Sequence, residues 1–265
     1  MSDATPVPID PRRCVVIPSY NTGPRLEQTV REVMAVWQPV IVVIDGSNDG
    51  SDLQVIRLAK EEPGLHALAQ NGNTGKGAAV FAAFNYAVDR GLTHAAVFDA
   101  DGQHDASDLP ALMAAAEQNP LAVVMGTPAF GDDAPASHML GHALADFFAR
   151  VETLRPDLGD SLFGLRVYPM LATIKAMKRI RGGRRFDFDT QLAVRLYWAG
   201  VPPLSLATPV RYPERASGGV SHFRYLQDNL LLTRVHTGLF LRSLTMLPRL
   251  YRYRRRGPLR GTFTA

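Results

Sequence analysis

Cysteine and lysine are nearly missing from this chain of 265 residues. The single cysteine, Cys14, has nothing to pair with, so a disulfide framework and a cysteine zinc site are excluded and a reducing compartment fits. Lysine occurs only at Lys60, Lys76, Lys175 and Lys178, so the basic character rests on arginine. The first dozen residues are polar and proline-rich, without the apolar core of a signal peptide, and the expectation is a cytoplasmic protein. A membrane-spanning helix needs about 20 residues nearly free of charge. The longest apolar stretch, Tyr225 to Leu247, is broken by Asp228, Arg234, His236 and Arg242, which argues against a span.

What is present is an ordinary globular composition, 46% hydrophobic and 20% charged, ample for a full core. Charge is uneven. From Arg224 onward nine arginines face the single Asp228, so this end carries about +8 and leaves the remainder near −4. Apolar residues followed by Arg249, Arg252, Arg254, Arg255 and Arg256 read as an amphipathic helix lying on an anionic membrane surface. The plain alternative is a terminal helix packed on the core with its arginines in solvent. Nucleic acid is disfavoured as a partner, although Tyr251 and Tyr253 interleave with Arg252 and Arg254. The expected division is a catalytic domain over 1–223 and a basic tail over 224–265.

Periodicity predicts alternating strands and helices. Strands are expected at Cys14 to Ile17, Val40 to Ile44, Leu65 to Ala69, Ala95 to Phe98 and Leu121 to Met125. Helices are expected at Arg25 to Trp37, Asp52 to Glu62, Gly77 to Arg90 and Leu109 to Gln118. This alternation implies an α/β fold, a Rossmann-like, mainly parallel sheet with helices on both faces. Further on, helices are expected at Met139 to Leu154, Met170 to Lys178 and Gln191 to Ala199. Asp160 to Tyr168 and Leu204 to Tyr212 read as extended. Gly131 to Pro135 is an acidic loop and Arg181 to Arg185 a basic one.

Four turns follow predicted strands and so open on one edge of a parallel sheet: Pro18-Ser19-Tyr20-Asn21, Asp45 to Gly50, Asn71 to Gly77, and Asp99-Ala100-Asp101-Gly102-Gln103-His104. That edge is where open α/β sheets bind ligands. Asp99 and Asp101, one residue apart, with Gln103 beyond, offer hard oxygen ligands suited to Mg²⁺ or Mn²⁺; an ordinary acidic turn is the alternative. The Gly72 to Gly77 turn is not a Walker motif, because only Asn73 and Thr74 separate Gly72 from Gly75-Lys76 and no Ser or Thr follows. The first turn lacks the glycine fingerprint of a dinucleotide fold. Lys76 at a helix start is fit to hold an anion.

Val16 to Asn21, Val43 to Ser51, Asn73 to Gly77 and Asp99 to His104 together resemble family 2 glycosyltransferases of GT-A fold. The resemblance is greatest to the dolichyl- or polyprenyl-phosphate mannose synthase group, through Asp99 to His104, Phe186 to Leu192, and Pro209 to Pro213 with Gly219 to Arg224. It covers roughly residues 12 to 230. Ile44 stands where that pattern has a first acid, His222 where it has a lysine, and Arg215 lies one residue too far from Gly219.

The resemblance implies a nucleotide diphosphate sugar, UDP- or GDP-linked, held by Pro18, Ser19, Tyr20, Asn21, Asp45, Lys76, Asp99 and Ala100. It implies Mg²⁺ or Mn²⁺ on Asp101 and Gln103. It implies inversion by a single displacement, with no protein nucleophile. An acceptor hydroxyl would need a base such as Asp189 or Asp187. A lipid or polyprenyl phosphate would instead need the cations Arg211, Arg215, His222 and Arg224, beside Ser221. The expected function is transfer of one sugar to a lipid or lipid-phosphate acceptor by a peripheral protein on the inner membrane face. The alternatives are transfer to a soluble hydroxyl and a non-catalytic nucleotide-sugar or nucleic-acid binding module.

Overall fold

The computed structural model describes residues 7–129, 136–155, 158–180, 187–209 and 225–255, without the side chains of 129, 136–144, 187, 209 and 225–231. The expected loops at Gly131 to Pro135 and Arg181 to Arg185 lie outside the described residues, as do Arg211, Arg215, Ser221, His222 and Arg224.

The first four strands are β1 (Arg13–Ser19), β2 (Val40–Asp45), β3 (Leu65–Gln70) and β4 (His94–Val97). They are joined through α1 (Arg25–Met34), α2 (Ser51–Glu61) and α3 (Lys76–Val88). α4 (Leu109–Gln118), β5 (Val123–Ala129), α5 (Ala136–Thr153), β6 (Arg166–Pro169), α6 (Met170–Met177), α7 (Asp187–Ala199) and β7 (Pro203–Pro209) complete the sheet. α8 (Tyr225–Leu244) and α9 (Leu247–Arg254) follow.

The seven strands run in the order β3-β2-β1-β4-β6-β5-β7. All neighbours are parallel except β6, which is antiparallel to both β4 and β5. The winding direction reverses between β1 and β4, and this switch opens a crevice at their carboxyl ends.

Alternation along β1 explains the two-sided core. Val15 and Ile17 face a layer with Leu26, Val30 and Val33 of α1 and Leu112 of α4. Cys14 and Val16 face a second layer with Val80 and Phe84 of α3, Ile174 of α6 and Leu192 of α7. Full burial of each such aliphatic contributes roughly 1.5–3 kcal/mol. A third cluster, with Ala149 of α5, Val194, Tyr197 and Trp198 of α7, Leu239 of α8 and Leu250 of α9, fixes the C-terminal helices on the domain.

Several boundaries differ from expectation, each for a local reason. α1 stops at Met34 rather than Trp37, because Pro39 forces the chain out of helix before β2. β5 starts at Val123, where pairing with Pro203 of β7 begins, leaving Leu121 exposed in the preceding turn. Of Asp160 to Tyr168 only the segment from Arg166 is strand. The Asp160 carboxylate accepts from the Leu162 and Phe163 N–H groups at 2.8 and 2.9 Å, an Asx turn that withholds the backbone from the sheet. α7 begins at Asp187, four residues before the expected start, so Asp187 and Asp189 fall in a helix's first turn, where its dipole favours acids. The stretch expected to run to Leu247 as one helix breaks after Leu244. Thr245 Oγ1 donates back to the Arg242 carbonyl at 2.8 Å, and Pro248 sits in the opening turn of α9, where its missing N–H is tolerated.

Candidate functional site

Four turns are woven into one rim at the β1/β4 switch. The Asn21 N–H donates to Ser47 Oγ at 3.0 Å, and Asn21 Oδ1 accepts from the Asn48 N–H at 2.9 Å. Gly23 N–H donates to Asp49 Oδ2 at 2.8 Å. These bonds tie the turn after β1 to the turn after β2. The Asp45 carboxylate ties β2 to the next turn, accepting from the Thr74 N–H and Oγ1 at 2.8 and 2.7 Å and from the Gly75 N–H at 2.7 Å. Gly46, at φ +70°, leaves room for this crossing, since a Cβ there would strike the Gly72 backbone. Ser19 lies beneath, its hydroxyl 2.9 Å from that of Thr22.

Lys76, the first residue of α3, joins the third turn to the fourth. Its ammonium is 2.8 Å from Asp99 Oδ1 and 2.8 Å from Asp189 Oδ2. A cation at a helix start opposes the dipole, and the two carboxylates offset that cost. Burial alone would weaken the ammonium, but Asp189 and then Asp99 outweigh it and hold its pKa above the ordinary value. Burial would raise Asp99, but Lys76 and then His104 hold it below the ordinary carboxylate range. Asp189 is raised, burial being its largest influence with Lys76 pulling the other way. Lys76 thus lies between a carboxylate held below the ordinary range and one pushed above it. Asp189 Oδ1 is buried without a hydrogen-bond partner among the described residues.

Behind Asp189 stands Arg166, wholly buried on β6. Its Nη1 donates to the Asp189 carbonyl at 2.8 Å, and its Nη2 donates to the carbonyls of Asp160 and Ser161 at 3.0 and 2.7 Å. Desolvating a guanidinium is costly, and here it fastens the start of α7 to the 160–161 turn. Gly164 in the same segment passes so close that a Cβ would meet the Asp99 carboxylate and the Lys76 ammonium. His104 is 5% exposed, edge-on to Phe98 and Phe163 at 5.5 and 4.7 Å, with Nε2 3.8 Å from Asp99 Oδ2.

Asp101 and Gln103 suit a divalent cation. Asp101 Oδ1 accepts from the Gln103 N–H at 2.9 Å. Burial, and then the Asp99 charge, raise the Asp101 pKa, a cost that a cation relieves. Among the described residues no three His, Cys, Asp or Glu side chains form a closed metal cage.

Of the residues expected from sequence, Lys76, Asp99 and Asp189 meet directly, while Ser19, Asn21 and Asp45 are linked through the rim. Pro18 and Tyr20 lie at the end of β1, and Ala100 is buried in the fourth turn. Asp187 opens α7, with its side chain outside the described set. Arg166 and Gly164 were not anticipated; the available signal was an arginine between Leu165 and Val167 in an otherwise apolar strand.

Comparison with known proteins follows the same lines. The family described as Glycosyl transferase family 2 matches residues 14–173. An undecaprenyl-phosphate mannosyltransferase of Micrococcus luteus is 35% identical over 106 residues, covering 39% of this chain and 44% of that protein. A polyprenol monophosphomannose synthase of Mycolicibacterium smegmatis is 34% identical over 109 residues, 40% of this chain and 41% of that protein. The match thus spans less than half the length of these curated relatives. Among solved structures, Mycobacterium tuberculosis glucosyl-3-phosphoglycerate synthase in complex with Mn²⁺, UDP-Glc and phosphoglyceric acid aligns with a TM-score of 0.59 at 13% identity, over 88% of this chain and 79% of that one. S. aureus TarS 1-349 in complex with UDP-GlcNAc aligns with a TM-score of 0.55 at 14% identity, over 93% and 73%. At such identities the likeness is one of fold, which is GT-A. Because the matched residues 14–173 make up more than half of the chain, the protein belongs to glycosyl transferase family 2.

Proposed function

We propose that this protein transfers a single sugar from a UDP- or GDP-sugar to a lipid phosphate, working as a peripheral protein on the cytoplasmic membrane face. The observation that carries the reading is the Lys76–Asp99 pair beside Asp101 and Gln103 at the β1/β4 switch, an anion-holding cation next to a donor set fit for a divalent metal. The polyprenyl-phosphate relatives support the acceptor class. Among the described residues no helix is long and apolar enough to cross a membrane.

Pro18, Ser19, Tyr20, Asn21, Asp45, Asp99 and Ala100 hold the base and ribose. Asp101 and Gln103 would hold a Mg²⁺ or Mn²⁺ ion, which would supply positive charge toward the diphosphate. Lys76 supplies a second positive charge to the departing nucleotide. An oxygen of the lipid phosphate attacks the anomeric carbon as the bond to the diphosphate oxygen breaks, inverting the centre in one displacement. A phosphate nucleophile is already anionic, so no proton is removed; Arg211, Arg215, Ser221, His222 and Arg224 receive it. Asp189 and Asp187 then shape the acceptor side, and Asp189 keeps Lys76 in place.

One observation favours a second reading. The buried, unpartnered Asp189 Oδ1, with a raised pKa, suits a general base for a hydroxyl acceptor. The experiment is a transfer assay with Mn²⁺, UDP- and GDP-sugars, and either undecaprenyl phosphate or undecaprenol. Product on the phosphate alone, abolished in Asp101→Ala, supports the first reading. Product on the alcohol alone establishes the second, and no product with any donor overturns both.

A further inference from the structure

Arg166 stands opposite Val97 of β4 and Met125 of β5, so its backbone is held between two strands inside the sheet. Val97 ends β4 two residues before Asp99, where the turn that carries Asp101 and Gln103 begins. The arginine is therefore fixed in register with that turn, while its side chain reaches the other side of the crevice. Nη1 donates to the Asp189 carbonyl at 2.8 Å, and Nη2 donates to the Asp160 and Ser161 carbonyls at 3.0 and 2.7 Å. Thr190 Oγ1 donates to the same Ser161 carbonyl at 3.2 Å, and Asp146 of α5 accepts from the Ser161 N–H at 2.8 Å. Two adjacent residues in the first turn of α7 are thus bonded, directly or through Ser161, to one side chain of β6.

Stability alone is a poor account of this arrangement. The guanidinium is wholly buried, and its bonds to neutral carbonyls roughly offset the desolvation that burial requires. A planar, rigid fork fixes direction as well as distance, which an apolar side chain of similar volume does not. Packing holds the middle and end of α7 through Leu192, Leu196, Tyr197 and Trp198; at its first turn Phe188 in the core is joined by the arginine. Asp189, next in sequence, enters the crevice with Oδ2 2.8 Å from the Lys76 ammonium.

We propose that Arg166 is a positioning residue for sugar transfer, setting Asp189 at a fixed distance from the Asp99 to Gln103 turn so that the acceptor attacks in line with the departing diphosphate. This deepens the function proposed above and rests on the acceptor-side role given there to Asp189. Arg166 acts only through the first turn of α7. Attack geometry is lost with displacements of about 1 Å, so the arginine governs turnover rather than donor affinity.

The test is a double-mutant cycle on transfer, with Arg166→Lys and Asp189→Asn made singly and together. Lysine keeps the charge and loses the fork. Arg166→Lys is expected to lower kcat about 30-fold while the donor dissociation constant stays within about twofold of the unaltered protein. In the Asp189→Asn background it should lower kcat less than about twofold further. Equal losses in both backgrounds overturn the proposal and leave a general structural role, as does a donor affinity that falls in step with kcat. Should the lysine variant not fold, Thr190→Val removes only the bond to Ser161 and is expected to lower kcat about threefold. Thr173→Val, which removes a like bond to the Pro169 carbonyl on α6, should change it less than about 1.5-fold, and equal effects of the two valines overturn the proposal. If the unaltered protein transfers sugar to neither the lipid phosphate nor the alcohol, the proposed function falls, and hydrogen exchange over 187–194 decides for the arginine. Faster exchange there in Arg166→Lys, with that of α3 unchanged, upholds the fixing of α7 by Arg166; unchanged exchange overturns it.

Discussion

Lys76 Nζ and Asp189 Oδ2 lie 2.8 Å apart, joining the start of α3 to the first turn of α7 across 113 residues of chain. This ion pair ties the turn that opens α3 to α7, across the proposed donor and acceptor sides. Lys76→Met removes the cation that lies between these two carboxylates and is expected to cost about 3 kcal/mol of stability. Asp189→Asn leaves Lys76 paired with Asp99 and is expected to cost about 1 kcal/mol. Urea unfolding of both variants checks the order, and equal costs would contradict the shared-cation arrangement. Only the lysine variant should also weaken nucleotide-sugar binding more than tenfold in a titration.

Gly164→Ala probes the same crevice by volume alone. Its added methyl meets the Asp99 carboxylate and the Lys76 ammonium. The expected result is a folded protein whose melting temperature in the presence of Mn²⁺ and UDP or GDP no longer rises. A normal ligand-induced rise would show that Asp99 and Lys76 can move aside at little cost.

Glu152 on α5 predicts a pH dependence. It is fully buried, and its Oε1 lies 2.8 Å from His236 Nδ1 of α8. Burial raises its pKa above 4.5, with His236 opposing. The folded protein therefore holds this proton more tightly than the unfolded chain, so stability from this group is full below pH 4.5 and declines as pH rises through the raised value. Glu152→Gln should flatten that segment of the stability profile, measured as the urea midpoint between about pH 4 and 7. An unchanged slope in the variant would assign the dependence to other groups.

Cys14 is wholly buried on β1, and burial pushes its thiol pKa well above normal. Labelling by a disulfide reagent should follow the opening of the sheet rather than the exposed-thiol rate. Rapid labelling of the folded protein would mean that β1 is more accessible than its position at the centre of the sheet implies.

Much of this was legible in the sequence because local chemistry and global position agreed. Cys14 to Ile17 and Val40 to Ile44 are apolar on both faces, which only a central strand satisfies, and the turns after them carry the polar residues that a ligand-binding edge requires. The start of α7 was obscured because Phe186-Asp187-Phe188-Asp189 alternates like a strand, while the helix dipole and Phe188 in the core favour helix. The role of Arg166 was hidden for a different reason. Its value lies in carbonyls brought from residues 160, 161 and 189, and no local window contains all three. The antiparallel insertion of β6 between β4 and β5 likewise depends on long-range pairing.

The Asp45 carboxylate spends three hydrogen bonds on the turn that opens α3, and Asn21 two more on its neighbour. The rim is thus assembled by the protein's own groups, without waiting for a donor to organise it. On the proposed function, a nucleotide bound there would meet turns already tied by these hydrogen bonds, their ordering entropy met during folding. Donor association should then be fast and nearly independent of loop motion, leaving conformational delay to the acceptor half of the reaction.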